Sequence, residues 1–147
     1  MKIRLILATL ACALATVPAI NAADEPETEL GGKMDKMSSA FRALRRQITD
    51  AAKNADSLAK LATIKENAQA ALKLEPAWKA DKPAAEQAKF VADYQADMKK
   101  FIELVSKVEV ALKAGNNDEA GKLLTAMGDA QKAGHKQFKK PDDKKKK

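Results

Sequence analysis

The sequence predicts an all-α protein, an antiparallel up-down-up-down four-helix bundle, and three observations carry that prediction. Apolar residues recur at steps of three and four in successive segments, the period of a helix with one buried face. Aromatic residues make up only 4% of the chain and alanine pads the 46% hydrophobic content, a profile poor in the β-branched and aromatic residues that strands favour. The breaks between the periodic segments are short, which makes consecutive helices antiparallel neighbours. A chain of 147 residues has room for one such domain with tails.

The first segment reads as an address rather than as part of the fold. Lys2 and Arg4 give a positive start, an apolar run extends from Leu5 to Val17, Pro18 breaks it, and Ala19, Ala22 and Ala23 supply small residues. The run is about 13 residues, short of the roughly 20 that span a bilayer, so a cleaved signal peptide at residues 1–22 is expected rather than an anchor. Export to the periplasm follows, with no stable membrane insertion after cleavage. Cleavage also removes Cys12, the only cysteine, so the mature chain has no disulfide and no thioether-linked haem.

The first helix is expected from Leu30 to about Asn54, capped by Thr28 or Glu29, with Leu30, Met34, Met37, Phe41, Leu44 and Ile48 as its apolar stripe. Arg42, Arg45, Arg46 and Asp50 lie off that stripe. Asp56 and Ser57 are N-cap residues for a second helix, which carries Leu58, Leu61, Ile64, Ala68, Ala71 and Leu72 and ends before Pro76. A loop containing Trp78 and Asp81 leads to Pro83, a residue suited to a helix start. The third helix has the strongest stripe, Phe90, Tyr94, Met98, Phe101, Val105, Val108 and Leu112, and stops at Gly115. Asn117 is expected to cap the fourth, with Asp118 and Glu119 at the positive end of its dipole. Its apolar residues are Ala120, Leu123, Leu124, Met127, Ala130 and Phe138. The fourth helix also holds Gly121, Gly128 and Gly134, each costing about 1 kcal/mol relative to alanine. Either the helix is weak, or bulk is excluded there because something else fills the space. The domain is therefore drawn as residues 23–138, with residues 139–147 as a disordered lysine-rich tail.

The formal charge of +7 suggests a nucleic-acid partner until it is located. Lys2 and Arg4 belong to the signal, and residues 139–147 hold six lysines and two aspartates. That leaves 19 basic and 18 acidic residues in the bundle, so no nucleic acid is expected as a partner. The tail steers the chain toward acidic partners or anionic lipid at low salt. One histidine cannot build a zinc finger or the paired Glu-x-x-His sites of a di-iron bundle, and no nucleophile–base pair is evident, so no enzyme is expected.

That histidine, His135, lies near the end of the fourth helix in a row with Leu124, Gly128, Gln131 and Phe138, and is expected to face the core. In an up-down-up-down bundle the end of helix four lies beside the start of helix one, so His135 is expected opposite Met34 or Met37. An imidazole facing a thioether among glycines is an axial pair for haem iron, with both axial positions filled, an arrangement suited to electron transfer. Two other readings use the same residues. A histidine at a helix C-terminus is also a plain surface residue favoured by the dipole, in a cofactor-free bundle acting as an interaction or stress protein. A Met-x-x-Met pair with a histidine is also a soft copper(I) site.

The segment Glu29-Leu30-Gly31-Gly32-Lys33-Met34, the run Phe101-Ile102-Glu103-Leu104-Val105 to Ala111-Leu112-Lys113, and the end Ala133-Gly134-His135-Lys136-Gln137-Phe138 resemble the first, third and last helices of the cytochrome b562 family. The resemblance covers roughly residues 28–139. It implies a periplasmic protein holding one b-type haem non-covalently and passing electrons to a redox partner protein that the sequence does not name. By position it implies Met34 and His135 as the iron ligands and Phe101 against the haem edge; Met37, three residues on and reaching the same face, is then expected to pack beneath the ring. Where the family carries arginines one turn either side of the histidine, this chain has Gln131 and Lys139, and Lys139 is the cation implied for a haem propionate.

Overall fold

The computed structural model describes residues 28–141. The expected signal peptide at residues 1–22 and tail residues 142–147 lie outside the described residues. Four α-helices follow in order: α1 (Glu29–Arg45), α2 (Asn54–Ala71), α3 (Ala84–Lys113) and α4 (Asn117–Phe138). Short 3-10 turns occupy Ala51–Lys53 and Ala77–Asp81, and no strand occurs among the described residues. The helices pack as the expected antiparallel bundle. Their backbones come close along α1–α2, α2–α3 and α3–α4. The remaining side, between α1 and α4, has little close backbone approach.

The stripes read from the sequence form the core. Leu44, Leu61, Ile64, Val105, Val108 and Met127 are almost fully removed from water, and Met37, Phe41, Leu112 and Leu124 surround them. Burying each such side chain contributes on the order of 1.5–3 kcal/mol. Leu30, Met34, Phe90 and Phe101 are partly buried at the margin of this cluster.

Helix boundaries depart from the sequence expectation at three corners. First, α1 stops at Arg45, well short of Asn54. The β-branched pair Ile48-Thr49 and Asp50 explain the break: Asp50 Oδ1 accepts the Ala52 N–H at 3.0 Å, a local bond that competes with a helix. Second, Asp56 and Ser57 cap nothing, because α2 already begins at Asn54. The Gln47 amide donates to Asp56 Oδ2 at 2.7 Å and to the fully buried Ser57 Oγ at 3.1 Å, tying the corner to α2. Third, Asn116 rather than Asn117 caps α4, its side chain accepting the Glu119 N–H at 3.2 Å. Asn117 instead donates to the Ile48 carbonyl at 2.7 Å and exchanges amide hydrogen bonds with Asn54 at 2.7 and 3.1 Å. The α1 end, the α2 start and the α4 start are thereby locked together. Gly115, at φ 70°, ends α3 as expected, in a conformation that costs glycine little.

The opposite end of the bundle is closed by aromatic rings. Tyr94 and Phe90 of α3 both meet Phe138 of α4 edge-on, at centroid separations of 5.5 and 5.4 Å. Trp78 is half-buried rather than left in an open loop: it packs on Phe90 at 6.1 Å, and the Lys82 ammonium sits 3.5 Å above its ring. The Tyr94 hydroxyl donates to the Ala71 carbonyl at 2.9 Å, and burial pushes the phenol up to about 12. Just past α4, Lys140 pairs with Asp81 at 2.8 Å, so the expected free tail is tethered at its start.

Candidate functional site

The side between α1 and α4 is where the sequence expects a site, and small and polar residues line it. The Gln131 amide donates to Ser38 Oγ across the seam at 3.2 Å. Gly128 lies against the Phe41 ring, whose Cζ is 3.6 Å from where a β-carbon would stand. Near the pinned end, a β-carbon at Gly121 would stand 4.0 Å from the Thr49 methyl. These contacts share one antiparallel register. A groove of about 210 Å³ opens along the seam, floored by Phe41, Ile48 and Leu124 and flanked by Arg45 and Lys132.

The register extends to the candidate ligands. Met34 precedes Phe41 by one heptad, and His135 follows Gly128 by one heptad. Likewise Met34 lies one turn before Ser38, and His135 one turn after Gln131. Two residues a heptad apart share a flank of a helix, so both counts carry Met34 and His135 into one layer, each on the flank turned toward the other helix. Met37 falls on another line. It is 6% exposed, within the core, on the buried side of α1 together with Ala40 and Leu44.

The expectation that His135 faces the core is corrected. The residue is exposed. The core row of α4 runs Ala120, Leu124, Met127, Gln131, Gly134, Phe138, and Gly134 takes the inward position beside the histidine. His135 therefore sits at the seam's edge, and its imidazole makes no hydrogen bond or ion pair with described residues. Gly134 is the more informative neighbour. A β-carbon there would meet nothing within 4 Å, although the position lies on the inward row. Of the three α4 glycines it alone has open space before it.

The remaining expected residues are distributed around this layer. Phe101 is half-buried against the core, two turns along α3 from Tyr94, the residue that meets Phe138. It therefore stands nearer the middle of the bundle than His135 does. Lys139 is exposed one turn beyond His135, and its backbone N–H donates to the His135 carbonyl at 3.0 Å, closing α4. A wider hollow of about 600 Å³ lies over the outer face of α1, lined by Gly32, Asp35, Lys36 and Ser39, and involves neither Met34 nor His135. No cluster of three or more His, Cys, Asp or Glu side chains suited to a metal ion occurs among the described residues.

Sequence reasoning missed the Ser38–Gln131 clasp and the aromatic closure, and it flagged the three α4 glycines as space-making without distinguishing Gly134, the open one, from Gly121 and Gly128. Of the two missed features only the clasp left a signal, in Gln131, a polar residue in the histidine row. The closure depends on a 3-10 turn that no periodicity announces.

The architecture and the seam define the class: an antiparallel four-helix bundle with one loosely closed side. The family follows from comparison with known proteins, in which the family model described as Cytochrome b562 matches residues 29–139. The chain belongs to the cytochrome b562 family, whose members are helical, haem-binding electron carriers. Comparison with curated proteins and with solved structures gave no match.

Proposed function

We propose that this chain is a periplasmic electron-transfer protein that binds one b-type haem non-covalently at the end of the α1–α4 seam, with Met34 and His135 as axial ligands. One observation carries the reading: the seam register puts a thioether and an unpaired imidazole into one layer, beside an inward position, Gly134, with open space before it.

The residues fit the group. A haem with both axial positions filled supplies a one-electron change without an open site for oxygen. The Met34 sulfur is a soft donor, and half-burial keeps it from water. His135 must offer an unprotonated ring nitrogen to bind iron, so acid competes with ligation. Gly134 leaves room for a flat ring. Phe101 offers an apolar edge, Met37 fills the core beneath, and Lys139 is placed as a counter-charge for a propionate. The aromatic closure built on Phe138 restricts water at that end of the bundle. The signal peptide expected at residues 1–22 is what supports export.

Reconstitution tests the proposal. Haem added to the purified chain is expected to give an intense Soret band, whereas copper(I) gives none. His135→Ala abolishes tight haem binding. Met34→Leu leaves haem bound but alters its spectrum and lowers its potential, while Met37→Leu alters neither. Acid releases the haem as His135 takes up a proton. Spectral changes in Met37→Leu but not in Met34→Leu would overturn the ligand assignment, and a colourless chain under all conditions would overturn the function.

A further inference from the structure

The basic residues of this chain are unevenly placed. Many lysines pair with carboxylates, among them Lys60 with Asp56, Lys89 with Asp93 and Lys113 with Glu109, while others, such as Lys53, Lys99 and Lys107, stand singly along the helices and turns. The described arginines are Arg42, Arg45 and Arg46, all within the last turn and the cap of α1. All three are exposed, and none of their guanidinium groups makes an ion pair or hydrogen bond with described residues. The sequence withholds partners from them. The positions three and four residues away hold Ser38, Ser39, Phe41, Ala43, Ile48, Thr49 and the arginines themselves, and the one acid, Asp50, is engaged with the Ala52 N–H.

A helix C-terminus favours cations, and that accounts for one basic residue in the last turn. It does not account for like charges three and four residues apart, which repel as neighbours on a helix surface. Nor does it account for the choice of arginine, whose planar fork suits carboxylates presented by a partner. The location adds the second argument. Arg45 flanks the seam groove, whose other bank carries Lys132 paired with Asp129 at 3.6 Å. Arg42 stands eight residues beyond Met34 in the sequence, roughly 12 Å along the helix axis from the layer of the exposed His135. A nearly neutral bundle thus gathers three unpaired guanidinium groups at the α1 C-terminal end of the seam whose other end holds its candidate redox centre.

We infer that the outer face of the α1–α4 seam, centred on Arg42, Arg45 and Arg46, is the docking surface for an acidic redox partner protein. The inference rests on the electron-transfer reading for the partner's role, though not for its charge. Carboxylates of the partner meet the three guanidinium groups, roughly 12 to 18 Å along the helix axis from the His135 layer. Complementary charge raises the encounter rate and orients the complex, both in a salt-dependent way.

The test uses a plant-type ferredoxin of net negative charge as the acidic one-electron donor. Its binding to the full chain, with and without haem, is followed by fluorescence anisotropy, and haem reduction by stopped flow. At low salt both proceed, and both fall by about tenfold or more on raising the salt to several times physiological strength. Arg42→Glu, Arg45→Glu and Arg46→Glu together abolish the low-salt advantage, the corresponding glutamine variants weaken it, and lysine variants keep the salt dependence but restore the affinity only in part. A triple change of equal charge elsewhere, Lys53→Glu, Lys99→Glu and Lys107→Glu, changes binding far less. Equal losses in the two triple variants, or no ferredoxin binding at low salt, overturn the inference. So does binding to phosphatidylglycerol vesicles without binding to ferredoxin, which makes the patch a lipid-facing one. Arginine-dependent ferredoxin binding by a chain that takes up no haem sinks the electron-transfer reading and leaves the acidic docking surface standing.

Discussion

Replacing Gly134 by alanine separates the needs of the helix from those of the ligand, and the two effects have opposite signs. In the haem-free chain the added methyl meets no atom within 4 Å, so there is no steric cost to set against the change. Alanine inside a helix is favoured over glycine by about 0.8–1.0 kcal/mol. For the described 28–141 region, taken at roughly 2 cal/mol/K of unfolding entropy per residue, that gain raises Tm by about 4 °C. With haem present the methyl occupies the space the ring requires. A tenfold weaker Kd corresponds to about 1.4 kcal/mol, and a loss of that order or more is expected. Circular-dichroism melts of the haem-free protein and a Soret titration measure the two numbers. Gly128→Ala is the control, because its β-carbon makes an ordinary contact with Phe41 two turns from the ligand layer. It should stabilise the haem-free chain and leave haem affinity nearly unchanged. A Gly134→Ala chain that melts lower, or that binds haem as tightly as the parent, would refute the reading of that space.

Three further outcomes follow from the packing. Tyr94→Phe removes the bond to the Ala71 carbonyl and costs about 1 kcal/mol in urea unfolding near neutral pH. The phenol's folded value of about 12 stands above its ordinary 10, so this group's contribution is complete below pH 10 and is lost as the pH rises toward 12; the phenylalanine variant should lack that share of the alkaline loss. Asn117→Ala strands the Ile48 carbonyl and the Asn54 amide, at a cost of roughly 2–3 kcal/mol in the same assay. Lys113 and then Lys65 hold the Glu109 carboxyl below its ordinary range, so its contribution is present above the unfolded carboxylate value and lost as pH falls through the folded one. Glu109→Gln should flatten the acid limb of the stability profile by well under 1 kcal/mol, as expected for a pair at the surface.

What was legible in the sequence, and what was not, follows from the range of the forces involved. The stripes on α1 and α3 are a local pattern, and the residues they name are the core, down to the half-burial of Leu30 and Phe90 at its margin. That the end of α4 runs beside the start of α1 could be counted from connection lengths alone. The α1–α2 corner could not. Ile48 continues the heptad and is buried as the heptad demands, yet it is buried from a turn, because Asp50 and Asn117 satisfy backbone groups that a longer helix would have satisfied itself. The inward row of α4 was displaced for a related reason. Gly134 carries no side chain to mark it as inward, so the periodicity passed to its neighbour, the histidine. Trp78 lay in a stretch with no period, and its place is set by rings from α3 and α4 that are distant in sequence.

The distribution of small and polar residues explains why one side of the bundle is available for a ligand. Along α1–α2, α2–α3 and α3–α4, large aliphatic side chains interlock and backbones come close. Between α1 and α4 the facing residues are Ser38, Thr49, Gly121, Gly128 and Gln131, which bury little and hold one another through a single side-chain hydrogen bond. The asparagine network fixes the two helices only at the end remote from Met34 and His135. At the other end, α4 is held instead through Phe138 to α3 and through Lys140 to the turn before α3. The spacing of α1 and α4 there can therefore change without breaking the core. A ligand joining the two helices would supply the contact that the protein lacks on that side, and would stabilise the fold in proportion to the logarithm of its concentration over Kd. Hydrogen exchange should locate that gain in the first turns of α1 and the last turns of α4, with α2 and α3 protected to similar degrees with and without haem.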